Sequence, residues 1–140
     1  MQRRTGATLV EQTVILAVLG VLSALAFRGI SALLDDLAVR SAAREVRDVF
    51  SSAREHAVAS GARTAVQIDP TAAVLTAHAG ADTVTTRPVG QLHGVLVQSS
   101  RDSMAYSPSG LGYGASNLSI VLVRNASAET VTVSRLGRVR

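Results

Sequence analysis

The sequence predicts an α+β protein in which a long N-terminal helix, suited to a membrane over its first half, packs on a small antiparallel β-sheet head. Three observations predict it. The 21 residues from Ala7 to Phe27 hold one charge, Glu11. From Phe27 to Ser60 apolar residues recur at three- and four-residue steps, the signature of one helix face. Beyond Gly61 short β-type runs alternate with turn residues, as in strands joined by tight turns. The 140 residues thus divide into a short basic segment (1–6), a helix long enough to cross a membrane (7–27), its amphipathic continuation (28–61) and a β-rich head (62–140).

As a helix rising about 1.5 Å per residue, Ala7 to Phe27 spans roughly 31 Å, close to the ~30 Å hydrocarbon core of a bilayer. Arg3 and Arg4 precede it, and basic flanks stay on the cytoplasmic side. The expected topology is a single pass through the inner membrane, with Met1 inside and the head periplasmic or extracellular. Glu11 is not explained by anchoring, since an acid in lipid costs ~2.5 to 3.5 kcal/mol and calls for a partner. A cut after Gly6 would supply one. The new α-amine of Ala7 would lie four residues before Glu11, and the same amine on a neighbouring copy could pair with that carboxylate. Two other readings stay open on these residues: a secretory signal cut after Ala24-Leu25-Ala26, and an uncleaved anchor.

The amphipathic part runs Ile30, Leu33, Leu34, Leu37, Ala38, Ala42, Val46, Val49, Phe50, Ala53 and Ala57 along one stripe. Arg28, Asp36, Arg40, Arg44, Arg47, Arg54 and Glu55 lie opposite. One helix from about Ala7 to Ser60 would be a rod of roughly 80 Å, ended by Gly61, where a left-handed cap costs least. Expected strands are Thr64–Ile68, Ala73–His78, Thr83–Val89 and Val95–Gln98, then Leu118–Arg124 and Glu129–Val133 joined by residues 125–128. In the last, Val131 and Val133 alternate with Thr130, Thr132 and Ser134, giving one buried and one wet face. A single sheet of these runs would cover the stripe of the helix.

Cysteine is absent, so an exported head of about 80 residues must hold together on a small core without disulfides. All 14 basic residues are arginine, and loss of the leader leaves 12 of them against 10 acids, a net charge of +2. From Arg124 onward stand Arg124, Arg135, Arg138 and Arg140 against Glu129 alone, the place where a polyanion would bind. No catalytic, metal or cofactor constellation is present. His56, His78 and His93 are widely spaced, and the glycines around Ser107–Gly114 lack the lysine and the strand-to-helix setting of a phosphate loop. Asp35 and Asp36 read as solvated helix charges, or as partners of arginines such as Arg40 and Arg44 in a neighbouring subunit.

GATLVEQTVILAVLGVLSALA resembles the type IV prepilin signature: a short basic leader ending in Gly, a cut, and Glu as the fifth mature residue. The resemblance implies cleavage after Gly6 by a prepilin peptidase, methylation of the Ala7 amine, and Glu11 as the residue that positions each subunit among other pilin or pseudopilin subunits. The family usually has Phe at the position of Ala7, and major pilins usually have a Pro near Arg28. SAAREVRDVFSSAREHAVASG, YSPSGLG and VTVSRLGRVR are similar to the GspH/FimT minor pseudopilins, which implies a non-enzymatic subunit of a type IV pilus or a type II secretion pseudopilus. In its DNA-uptake branch a Gly-Arg-x-Arg end is associated with DNA binding. Gly137-Arg138-Val139-Arg140 has that form, and the resemblance implies a DNA site at Gly137, Arg138 and Arg140, which the basic residues Arg124 and Arg135 would extend. The secretion branch can end similarly, so a purely structural initiating or capping pseudopilin is the alternative. Arg138 and Arg140, two apart, would project to one side of an extended segment, with Tyr106 and Tyr113 near enough in sequence to suggest stacking. The competing role for these arginines is a solvated edge that discourages sheet pairing or contacts a neighbour.

Overall fold

In a computed structural model, residues 8–113 and 117–140 are described, Arg28 by its backbone alone. The helix α1 occupies Leu9–Ser60. It contributes to two compact units, a first ending at Leu34 and a second comprising Asp35–Arg140.

In the first unit every large apolar side chain from Leu9 to Leu34 is at least half exposed. The helix is long and apolar enough to cross a membrane. At its start the Glu11 amide donates to Thr8 Oγ1 at 3.3 Å. Thr8-Leu9-Val10-Glu11 is thus a capping-box sequence, in which the threonine satisfies an amide that has no partner within the helix.

In the second unit α1 turns Val39, Ala42, Ala43, Val46, Val49, Phe50, Ala53 and Ala57 into the core. Burial begins at Val39, which the periodic reading left out, whereas Ile30, Leu33, Leu34 and Leu37, read into the stripe, are exposed, because at 3.6 residues per turn they lie about 120° or more around the helix from Val46. Gly61 ends the helix at φ 64°, the left-handed conformation expected of it.

The strands are β1 (Thr64–Asp69), β2 (Val74–Ala79), β3 (Asp82–Arg87), β4 (Leu96–Ser99), β5 (Ser103–Tyr106), β6 (Gly112–Tyr113), β7 (Leu118–Arg124) and β8 (Ser127–Val133), with a five-residue helix α2 at Val89–His93. They form two sheets where one was expected: β3-β2-β1-β5-β6 and β4-β7-β8. All pairings are antiparallel. One cluster joins the α1 stripe to Val66, Leu75 and Tyr106 of the first sheet and to Leu118, Ile120, Leu122, Val131 and Val133 of the second. Val89 opens α2 instead of closing β3, because Pro88 before it has no amide to donate to a ladder.

β5 has no counterpart in the sequence reading. Three successive residues, Met104, Ala105 and Tyr106, are buried, so the strand lacks the alternation by which a half-buried strand is recognised. The β7–β8 turn is tighter than the expected four residues, with Asn125 at φ 51° supplying the left-handed residue that such hairpins require.

Candidate functional site

Two glycine turns of the Asp35–Arg140 unit pack against each other. In Ser107–Gly110 the Gly110 amide donates to the Ser107 carbonyl, and in Ser134–Gly137 the Gly137 amide donates to the Ser134 carbonyl, both at 2.9 Å. The Gly112 amide links the two by donating to the Arg135 carbonyl at 3.0 Å. YSPSGLG and SRLGRVR, 27 residues apart from glycine to glycine, thus form one structure.

Gly137 is buried, at φ +77°. A Cβ on it would lie 2.6 Å from the Gly110 carbonyl oxygen, closer than atoms can approach. The glycine of the Gly-Arg-x-Arg segment therefore shapes the turn and is not exposed to a phosphate. Beyond it the chain folds back along β8. Thr132 and Arg140 exchange two backbone hydrogen bonds at 2.9 Å, and Val139 bridges Val133. Val139 packs on the core, while Arg138 and Arg140 are exposed, as their spacing predicted.

This edge segment and α1 enclose an open groove of about 640 Å³, lined by Ser51, Arg54, Glu55, Val58 and Ala59 on the helix and Gly137–Arg140 opposite. Burial of Phe50, Ala53 and Ala57 fixes the helix register and sets Arg54 and Val58 over Gly110. The Arg54 Nε lies 3.1 Å from where a Cβ on Gly110 would stand, and 3.4 Å from its place on Gly137. Sequence reading put Arg54 on the side of the helix opposite the apolar stripe; only the packing of two distant glycine turns beneath it gives it a site.

The other predicted residues fall in different places. Arg135 is exposed at the turn. Arg124 is not part of this patch. It lies opposite Ser127 at the far end of β8, about 23 Å from Ser134 at ~3.3 Å per residue. Its Nε donates to Asp35 Oδ1 at 2.8 Å, and its Nη1 donates to the His93 carbonyl. Asp35 also accepts from Asn125 Nδ2 at 2.8 Å, so it is a clamp within the head and not a solvated charge. Asp36 pairs with Arg40 of the same chain.

Tyr106 cannot stack on a base, because it is fully buried. Its hydroxyl has no hydrogen-bond partner among the described residues, and burial pushes its pKa up to about 12, with Arg54 acting the other way. Tyr113 is 62% exposed, with the Arg63 guanidinium 4.3 Å from its ring centroid. His93 pairs with Glu45 at 2.7 Å and His56 contacts Thr64. Gly6 and Ala7, the predicted processing site, lie outside the described residues.

Residues 42–137 match the family described as Type II transport protein GspH. The chain belongs to this family. Its members are pilin-like structural subunits and not enzymes, and they assemble with other pilin or pseudopilin subunits. Among solved structures, the type IV minor pilin FimU of Pseudomonas aeruginosa strain PAO1 is similar at 16% identity, with a TM-score of 0.63 over 73% of this chain and 86% of that one. A second crystal form of FimU gives 15% identity and 0.61 over 72% and 90%. The minor pseudopilin EpsH from the type 2 secretion system of Vibrio cholerae gives 17% identity and 0.55 over 73% and 94%. At these identities the likeness establishes the fold. No curated protein sequence matches.

Proposed function

We propose that this GspH-family subunit is cut after Gly6 by a prepilin peptidase, methylated at the Ala7 amine, and held in a filament through α1 by pairing of that amine with Glu11 of a neighbour. Its N-terminus lies in the cytoplasm and its head beyond the inner membrane. In this reading the head binds DNA through Arg138 and Arg140, flanked by Arg135. The observation that carries it is the edge segment Gly137–Arg140, where Val139 anchors the backbone and leaves both arginine side chains exposed.

Such a site tracks phosphates and reads little sequence, because base-edge discrimination needs an element lodged in a groove of the duplex. The test is titration of the full chain, in nonionic detergent, with duplex DNA at several salt concentrations. Binding is expected to be sequence-blind and to fall by roughly 0.9 log units per log unit of salt for each phosphate contact. Replacing both Arg138 and Arg140 by Ala should weaken it and flatten the slope by about two contacts' worth. Absence of binding at low salt, or equal binding by the double variant, favours the second reading, a structural pseudopilin of type II secretion. The family's own description and the likeness to EpsH support that reading.

A further inference from the structure

We infer that Arg54 of α1 is a third cation of the same site, so that a nucleic-acid backbone is gripped in the groove between helix and edge segment instead of lying on the segment alone. This rests on the DNA-binding reading above. The groove is lined by Arg54, Arg138 and Arg140 and by one acid, Glu55. Among the described residues none of these three guanidinium groups has an ion-pair or hydrogen-bond partner, and Glu55 neutralises none of them. Three unpaired cations on facing walls favour a chain of anions threaded between them.

Arg54 is also the best prepared of the three. Its side chain lies over Gly110 and Gly137, where the missing Cβ atoms make room for it. Seating of its Nε and Nη2 over the two glycines restricts its rotamers before any ligand arrives, so less entropy is lost on binding than for a free surface arginine. The two glycines, far apart in sequence, therefore do a second thing besides turning the chain: they seat the guanidinium on the groove wall. Arg44, ten residues earlier on the same helix, is exposed and lines a different depression with Asp36, Arg40, Arg47 and Glu129. It is the natural control.

The experiment compares Arg54→Gln, Arg54→Lys and Arg44→Gln in the full chain in nonionic detergent, with the same duplex and salt series. Arg54→Gln should bind about three- to tenfold more weakly at low salt and lose roughly 0.9 from the salt slope. Arg54→Lys should keep the slope, and Arg44→Gln should match the unmodified protein. Independently of any variant, DNA should shield Arg54, Arg138 and Arg140 from an arginine-specific reagent in the unmodified protein, read by mass spectrometry, while Arg44 stays reactive. This second measurement decides the matter if Arg54→Gln fails to fold. If Arg54 stays as reactive as Arg44 while Arg138 and Arg140 are shielded, the helix takes no part and the DNA-binding reading survives without it. No binding by the unmodified protein removes both.

Discussion

Gly137 and Tyr106 sit side by side under Arg54, and each makes a measurable demand on the fold. At Gly137 a methyl group would have to stand at positive φ and 2.6 Å from a carbonyl oxygen. Gly137→Ala should therefore cost about 2 kcal/mol or more, the left-handed penalty plus the displaced turn, seen as a lowered thermal midpoint. A midpoint unchanged from the parent would show that the two turns are not packed as described. Tyr106 makes its demand through pH. Burial raises its pKa from 10.0 to about 12, so between these values the folded chain keeps a proton that the unfolded chain has released. Stability is complete below pH 10 and falls as pH rises toward 12, by ~3 kcal/mol at the far side of that window. Tyr106→Phe should remove this portion of the alkaline decline, checked by urea unfolding at pH 9, 10, 11 and 12.

At the scale of elements, adjacent aspartates on α1 have different work. Asp35 has a side chain only 15% exposed and ties the helix to the β7–β8 hairpin through Arg124 and Asn125. Asp36 and Arg40 form a pair one helical turn apart, with side chains 43% and 59% exposed, where water and salt screen the attraction. Asp35→Ala should lower the head's stability by ~1 to 3 kcal/mol, since it strips the partner from a half-covered guanidinium. Asp36→Ala should cost no more than ~0.5 kcal/mol. Equal losses in denaturant unfolding would mean that the hairpin is held by its apolar face alone.

For the whole molecule, the proposed function assigns Glu11 and the leader to assembly. Thr8 caps the first turn through the Glu11 amide, a backbone contact that alanine at position 11 preserves. Glu11→Ala should therefore leave membrane insertion, processing and the head intact while reducing incorporation into filaments, measured by co-purification with the other subunits. Intact mass of membrane-derived protein should correspond to a chain starting at Ala7 and carrying a methyl group. A start at Met1 or Phe27 would assign the apolar run to an uncleaved anchor or a secretory signal.

The features legible in the sequence are those that neighbouring residues settle among themselves. Gly61 stops α1 in the left-handed cap because only local backbone sterics decide it. Val131 and Val133 face inward between Thr130 and Thr132 because the period of a strand is two. Arg138 and Arg140 emerge on one side of Val139 for the same reason. Which face of the helix is buried was not legible: Leu37 and Val39 are both apolar, but at 3.6 residues per turn they stand on different faces, and only the placement of the sheets decides which face is covered. Nor was β5, a strand buried along most of its length and so without alternation. The site itself was half visible. Its arginines could be read from spacing, but the closure of Gly137 on Gly110, the seat this makes for Arg54, and the capture of Arg124 by Asp35 join residues 27 to 89 positions apart. Such contacts depend on the register in which the two sheets pack on α1, and no local preference encodes that register; it is set when the whole core closes.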